Sequence, residues 1–149
     1  MRPPLPHAVT QIAFVVDDIE KYLQRFARLF NIETPAYRLT GPYEQTQLTY
    51  KGQPSTSARA KLGFIRLENI TLEFIEPVGG PSVWRDFLET RGPGVQHIAF
   101  EVNGAKTIIA SFEEEGIPLG QTSQFTGGRA AYLAALEILG CDIELLEHD

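Results

Sequence analysis

The chain has 149 residues, of which 43% are hydrophobic and 21% charged, and this is the composition of one globular domain. Its formal net charge of -6 argues against nucleic acid as the main partner, because phosphate binding normally needs a basic surface. A single cysteine excludes an intrachain disulfide, and no apolar run approaches the roughly 18 residues that span a bilayer. The first ten residues also lack the apolar core of a signal peptide, so we expect a cytoplasmic protein without a membrane partner.

The first predicted elements are a strand and a helix. Residues 11–16 are almost entirely apolar and predict a buried strand. In residues 17–30 the apolar side chains recur at helical spacing. Asp17 and Asp18 are suited to cap the start of this helix, because their carboxylates can accept hydrogen bonds from its free N–H groups.

A long loop and two strands complete the first half of the chain. The segment 31–60 is rich in proline, glycine and tyrosine, and loops of this length without clear structure are often functional. We expect its part from residue 37 to residue 59 to close over a site, with basic side chains available to a phosphate or a carboxylate group. Residues 61–67 and 70–77 then predict two apolar strands. The basic residues of the loop are Arg38, Lys51 and Arg59.

The second half repeats this order after a connecting helix. Residues 81–92 predict a short helix that is capped by Ser82 and stopped by the glycine and proline that follow. Residues 103–116 predict a longer helix with Asn103 as its cap and a glycine at its end. The remaining apolar segments predict strands at 94–102, 130–136 and 141–149.

The two halves are related by an internal repeat. Residues 11–14, Gln-Ile-Ala-Phe, match residues 97–100, His-Ile-Ala-Phe, at an offset of 86. The strand at 70–77 resembles the one at 141–149 at an offset of 71. Each half therefore predicts a strand, a helix and about three strands. Two such units of about 55 to 70 residues bury more apolar surface together than either could alone.

The repeat divides a single predicted domain, residues 1–149, into two modules. Module 1 covers about residues 7–77, and module 2 covers about residues 94–149. The linker at 78–93 contains the short connecting helix. It is long enough for the modules to pair within one chain or across a dimer.

Four polar residues occupy equivalent positions in the strands of the repeat. Side chains alternate across a strand, so Gln11 and His97 lie opposite the apolar residues that face the helices. Glu73 and Glu144 are placed likewise in the last strand of each module. Buried carboxylates are costly unless they are paired or bind a metal. If the sheets face one another, the four side chains converge, and such a set of nitrogen and oxygen atoms suits one divalent ion of Zn, Ni, Co, Mn or Mg.

Structural alternatives stay open for these residues. Taken alone, His97 fits a hydrogen-bonded core histidine, the two glutamates fit solvent-facing strand residues, and Gln11 fits a structural amide. Two further glutamates, Glu76 and Glu147, also repeat at an offset of 71. They fall on the opposite strand face, where we expect them to be solvated.

At these residues the chain resembles the vicinal oxygen chelate superfamily, and within it the branch of glyoxalase I and methylmalonyl-CoA epimerase. The resemblance covers nearly the whole chain, through TQIAFVVDDIEKYLQRFARLF, ARAKLGFIRLENITLEFIEP, GPGVQHIAFEVNG and IELLE. It implies an α+β fold in which two tandem βαβββ modules form a cupped mixed sheet around a metal site. The metal ligands that it implies are Gln11, Glu73, His97 and Glu144.

The resemblance also implies an activity. A divalent-metal-dependent isomerase or lyase would remove a proton next to the carbonyl group of a small 2-oxo compound or an acyl thioester. The metal acts as a Lewis acid for the charge that develops on the carbonyl oxygen. Glu144 is the expected general base and Glu73 the second acid/base group. We expect a small-molecule substrate and a homodimer.

The sequence departs from both named enzymes. Residues 55–59 lack the second catalytic glutamate that the epimerases tend to have there, and the residues with which glyoxalase I grips glutathione are not evident near Glu73 and His97. The ring-cleaving dioxygenases of the superfamily need two histidines, and only His97 is well placed. Two rival functions share the fold: a metal-free protein that binds or sequesters a small molecule, of the bleomycin-resistance type, and a non-catalytic metal-binding or regulatory protein.

Overall fold

The strands of the protein form one curled mixed sheet with helices packed against it. The computed structural model describes residues 5–149, and residues 1–4 of the expected domain lie outside the described residues. In chain order the elements are β1 (Gln11–Val15), α1 (Ile19–Phe30), β2 (Tyr37–Leu39), α2 (Tyr43–Thr46), β3 (Thr49–Tyr50), β4 (Gln53–Pro54), β5 (Arg59–Arg66), β6 (Thr71–Val78), α3 (Val83–Arg91), β7 (Gly94–Glu101), α4 (Ala105–Glu114), β8 (Leu119–Phe125), β9 (Gly128–Leu133), α5 (Leu136–Leu139) and β10 (Asp142–His148). Across the sheet the order is β2-β5-β6-β1-β7-β10-β9-β8-β3-β4. The predicted α+β fold with a mixed sheet is confirmed.

The first strands of the two halves meet at the centre of the sheet. β1 runs antiparallel to β7 and pairs Gln11 with Ala99 and Ala13 with His97. His97 lies 86 residues after Gln11, and Ala99 lies 86 residues after Ala13. A two-fold rotation between the strands therefore exchanges these two pairs, as the repeat in the sequence requires.

The last strand of each half flanks this central pair. β6 runs parallel to β1 and places Glu73 opposite Ala13, and β10 runs parallel to β7 and places Glu144 opposite Ala99. Alanine is the smallest side chain after glycine, so the residues between the polar groups leave room above the sheet. The register thus puts one glutamate on each side of the central strands.

The two faces of the sheet bury different apolar clusters. On the outer face, α1 covers one cluster around Phe74, and α4 covers another around Leu145. On the inner face, a third cluster fills one end of the sheet and draws on both halves of the chain. Its members include Ala13, Val15, Leu48, Ile75, Trp84, Phe87 and Tyr132. Along β1 this cluster reaches only as far as Ala13. The inner face on the Gln11 side of Ala13 is therefore left open.

The helix starts follow the predictions in two cases and depart from them in a third. Asp18 and Ser82 each accept a hydrogen bond from the backbone N–H three residues later, at 3.2 Å and 3.0 Å. Asn103 is not the cap of α4, because Gly104 occupies that position with φ 73° and offers no side chain. The free N–H of Gly104 donates instead to Glu147 Oε2 at 2.6 Å.

The predicted solvated role of Glu76 and Glu147 is therefore wrong. Glu76 Oε1 accepts a hydrogen bond from the N–H of Ile19 at the start of α1, at 2.9 Å. Glu147, at the equivalent position in the second half, accepts a hydrogen bond from the N–H of Gly104 at the start of α4. A negative charge at a helix N-terminus is stabilising, because it faces the positive end of the helix dipole. Each helix is thereby fixed to the last strand of its own half.

The segment between β2 and β5 crosses to the other half of the sheet. Its strand β3 pairs with β8, and the hydroxyl groups of Thr49 and Thr122 lie 2.6 Å apart. Just before β3, Leu48 is only 2% exposed and enters the inner apolar cluster. The long loop expected from the sequence is thus a structured insertion that spans the inner face. Of the helices in the described chain, none combines the length and the apolar character needed to cross a bilayer.

Candidate metal centre

Three of the four predicted ligands converge on the inner face of the sheet. Glu73 comes from β6, His97 from β7 and Glu144 from β10. Nε2 of His97 lies 3.2 Å from Oε1 of Glu144 and 3.5 Å from Oε1 of Glu73. All three side chains are buried, and one atom from each lies within 4.8 Å of the other two. The alternation of side chains along the strands therefore places these residues as predicted.

These three atoms have no hydrogen-bond partner outside the cluster. Oε1 of Glu73, Nε2 of His97 and Oε1 of Glu144 are buried, and within residues 5–149 their contacts are the ion pairs of His97 with the two glutamates. An unpaired buried polar atom costs about 1–3 kcal/mol, so three at one point need an explanation. Ligands about 2.1 Å from one ion lie about 3 Å apart when they are adjacent, and the two measured separations are close to this value. The donor set fits one divalent ion.

Gln11, the fourth predicted ligand, lies beside this cluster. It is half-buried on β1, opposite Ala99, and it lines the same cavity as Glu73 and Glu144. Its side-chain amide has no hydrogen-bond partner among the described residues, so its oxygen is available to a ligand or an ion. Gln11 stays a predicted ligand.

The carboxylates control the protonation of His97. Burial opposes the charged imidazolium, but Glu144 and Glu73 outweigh it and raise the pKa of His97 to about 9. Burial raises the pKa of Glu73, against the opposing effect of His97. At neutral pH and without an ion, His97 therefore carries the positive charge that the two carboxylates require.

Tyr132 forms the wall of the site beside His97 and Glu144. It pairs with Glu144 across β9 and β10, and its ring lies edge-on to the imidazole with centroids 5.0 Å apart. Trp84 Nε1 donates to the phenol oxygen at 3.3 Å, so the phenol proton is free to face the carboxylate. Burial raises the pKa of Tyr132 and keeps it neutral. The sequence analysis missed this residue, although Tyr132 is the only tyrosine in module 2.

Gln96 is a second residue that the sequence analysis missed. Regular alternation would turn it away from His97, but the pairing of β1 with β7 passes from His97 directly to Val95 and skips Gln96. Both side chains are consequently buried, and the Gln96 amide contacts the imidazole ring. Strict alternation of side chains along β7 therefore fails at this bulge.

Glu73 and Glu144 of this cluster line a cavity of about 900 Å³, and His97 lies buried between them. The expected loop, residues 37–59, forms part of the wall of the cavity, and Arg38 on β2 is one of the lining residues. The other two basic residues of that segment do not line it, and Arg59 donates instead to the carbonyl oxygen of Thr40 at 2.9 Å. Arg66, which the sequence analysis did not single out, also lines the cavity. Neither Arg38 nor Arg66 forms an ion pair with another described residue, so two cations are free to meet a ligand.

The sequence matches one family model over most of its length. Residues 10–132 match the Glyoxalase/Bleomycin resistance protein/Dioxygenase superfamily. No curated protein matches the chain at a significant level.

Several solved structures share the fold at low sequence identity. Methylmalonyl-CoA epimerase from Mycobacterium tuberculosis is similar with a TM-score of 0.66 and 18% identity, over 100% of this chain and 93% of that one. A hypothetical protein from Bacillus halodurans has a TM-score of 0.63 and 19% identity, over 95% of this chain and 94% of that one. A methylmalonyl-CoA epimerase in complex with methylmalonyl-CoA and NH4+ has a TM-score of 0.63 and 17% identity, over 97% and 96% of the two chains.

Metal binding is expected to release at least one proton per ion at neutral pH, because His97 must lose the proton that its pKa of about 9 retains. Below that pKa the affinity for Zn²⁺ or Ni²⁺ should rise by up to about tenfold per pH unit, and it should level off above it. Calorimetric titration in buffers of different ionisation enthalpy measures the released protons. His97→Gln should bind more weakly and lose this contribution to the pH dependence. A constant affinity between pH 6.5 and pH 8.5 would contradict the assignment.

Proposed function

Because the chain belongs to the Glyoxalase/Bleomycin resistance protein/Dioxygenase superfamily, we propose that it is a divalent-metal-dependent isomerase or lyase. It would remove a proton next to the carbonyl group of a small 2-oxo compound or an acyl thioester. The observation that carries the proposal is the buried cluster of Glu73, His97 and Glu144 beside a cavity, with three atoms that have no hydrogen-bond partner outside the cluster. Neighbours in fold that are methylmalonyl-CoA epimerases support the acyl-thioester alternative.

The proposed ligands of the ion are the three clustered residues and Gln11. One imidazole nitrogen with carboxylate and amide oxygens suits Zn²⁺, Ni²⁺, Co²⁺, Mn²⁺ or Mg²⁺. A bound ion of this kind supplies Lewis-acid stabilisation for negative charge on a substrate carbonyl oxygen. The inner apolar cluster packs against one side of the site and keeps water out there. A site with less water strengthens such electrostatic effects.

Two carboxyl groups on opposite sides of His97 suit a proton transfer in two steps. The Glu144 carboxylate would accept the proton from the carbon next to the carbonyl group. Glu73, when it loosens from the ion, would return a proton to the substrate from the opposite side. Return to the same carbon from the other side gives epimerisation, and return to the adjacent carbon gives a 1,2-shift. Tyr132, next to Glu144, would orient that carboxylate through its phenol proton.

The cavity wall supports a substrate with an anionic group. Arg66 lies over the ring of Phe64, 5.7 Å from its centroid, and Arg38 is close enough to Glu73 to affect the pKa of that carboxyl group. In a protein with a net charge of -6, two cations without ion-pair partners in one cavity favour a carboxylate or phosphate on the substrate. A cytoplasmic location and a homodimer stay predictions.

About one divalent ion per chain is expected in the purified and metal-loaded protein, measured by elemental analysis. The double variant Glu73→Gln/Glu144→Gln should lose the ion, because it removes both carboxylate ligands. Glu33→Gln/Glu89→Gln, which changes two exposed glutamates, is the control with the same change in charge. No bound ion in the wild type, even after addition of Zn²⁺, Ni²⁺, Co²⁺ or Mn²⁺, would instead favour a metal-free binding protein of the same fold.

Glu144→Gln is expected to slow proton exchange of the substrate by about 100- to 10,000-fold, because an amide cannot act as a general base. Exchange in heavy water is followed by NMR on methylglyoxal–thiol adducts and on epimeric acyl-CoA thioesters. Glu73→Gln should slow it by a similar factor if Glu73 returns the proton. Full turnover by either metal-loaded variant would refute the role of that residue.

Arg38→Gln and Arg66→Gln are expected to raise KM for an anionic substrate, each by about 10- to 100-fold, because each loses a charged hydrogen bond. The value of kcat should change little, since neither residue reaches the reacting carbon. Arg25→Gln on the exposed face of α1 is the control. An unchanged KM in both cavity variants would show that the anionic group binds elsewhere or is absent.

A further inference from the structure

A chain of buried hydrogen bonds leads from His97 away from the cluster. Nδ1 of His97 lies 2.6 Å from Oε1 of Gln96, and Nε2 of Gln96 donates to Oδ2 of Asp142 at 2.8 Å. Oδ1 of Asp142 accepts from the backbone N–H groups of Ala135 and Leu136, at 3.0 Å and 3.1 Å. His97 and Gln96 are 0% exposed and Asp142 is 5% exposed, so water does not compete for these bonds.

The chemistry of these groups fixes the direction of each bond. An ionised carboxylate only accepts hydrogen bonds, so Asp142 requires the amide NH2 of Gln96 to face it. The amide oxygen of Gln96 must then face His97, and it can only accept. Nδ1 of His97 consequently donates to Gln96, and it keeps its proton when Nε2 gives up its own to an ion. Nε2 points between Glu73 and Glu144.

The fold brings these groups together from distant parts of the chain. The bulge in β7 turns the side chain of Gln96 toward His97. The parallel pairing of β10 with β7 places Asp142 opposite His97. Asp142 in turn is held by the backbone at the start of α5. Three separate elements thus set the orientation of one amide group.

We propose that Gln96 and Asp142 are positioning residues that keep a proton on Nδ1 of His97 and so leave Nε2 to bind the ion. The link to the ion rests on the proposed function, but the protonation of Nδ1 does not. Groups that orient a metal-binding histidine in this way typically change metal affinity by about 10- to 100-fold when they are altered.

Asp142→Asn tests the proposal without changing the volume of the side chain. The asparagine oxygen must still accept from the two backbone N–H groups, so its NH2 group turns toward Gln96. The Gln96 amide then has to rotate, present its NH2 group to His97 and drive the ring proton to Nε2. We expect Nδ1 to lose its proton and metal affinity to be about 10- to 100-fold lower. Asp17→Asn, on an exposed carboxylate, is the control and should change neither.

The double variant Gln96→Glu/Asp142→Asn shows whether the effect of Asp142→Asn comes from the reversed hydrogen bonds or only from the lost negative charge. Glutamate at position 96 can accept from Nδ1–H of His97 with one oxygen and from the new asparagine with the other. Every hydrogen bond and the total charge are restored. We expect the proton on Nδ1 and most of the wild-type metal affinity to return.

The protonation of Nδ1 is measured by long-range 1H–15N correlation spectra of protein labelled in its histidines, of which there are three. Spectra of the metal-free protein at neutral pH need no ion, and loss of signals in His97→Gln assigns them. Metal affinity is measured separately by competition with a chelator, and circular dichroism checks that each variant is folded.

The outcomes distinguish the two proposals. An Nδ1 without a proton in the wild type, an Nδ1 that keeps its proton in folded Asp142→Asn, or failure of the folded double variant to restore that proton would overturn the positioning role. Wild-type protein with a protonated Nδ1 but no affinity for any divalent ion would support the positioning role and overturn the proposed function.

Discussion

Two buried carboxylates can share one small space only if a positive charge lies between them, and this constraint governs the centre of the protein. Glu73 and Glu144 are both buried and both face Nε2 of His97. Carboxylate desolvation is costly, and the attraction to a cation is what offsets it. The charge on His97 meets this need in the metal-free chain, and a divalent ion would meet it more fully. The raised pKa of His97 and the three atoms without a hydrogen-bond partner outside the cluster are two consequences of the same arrangement.

The rest of the fold keeps this arrangement rigid at one end and open at the other. The inner apolar cluster joins both halves of the sheet through α3, whose Trp84 packs edge-on against Tyr132 with ring centroids 5.9 Å apart. The insertion between β2 and β5 supplies Leu48 to the same cluster and then crosses to β8. On the other side of the polar cluster the inner face borders the cavity and is not covered by this apolar cluster. The cavity and its two arginines therefore lie directly above the polar cluster.

The repeat is symmetric in its framework and asymmetric in its chemistry. Glu76 and Glu147 fix the two helices in the same way. In module 2, however, Gln96 and Asp142 orient an imidazole, whereas the equivalent positions of module 1 hold Thr10 and Thr71 beside an amide. Only module 2 thus presents an imidazole, whose Nδ1 is held by a hydrogen bond. Module 1 presents Gln11, an amide that has no ring proton to place.

Local pattern was enough to locate the residues of the candidate site. The period of two along a strand, which depends only on neighbouring residues, put Glu73, His97 and Glu144 on the inner face. The repeat, which is visible when distant segments of the sequence are compared, put them in related strands. Family membership and the α+β class followed from the same segments. Tertiary structure alone decided the contact between Gln96 and His97, since a bulge defeats strict alternation. It also decided the positions of Tyr132 and Arg66 and the capping by Glu147, because these contacts join residues far apart in the chain and arise only when the sheet is assembled.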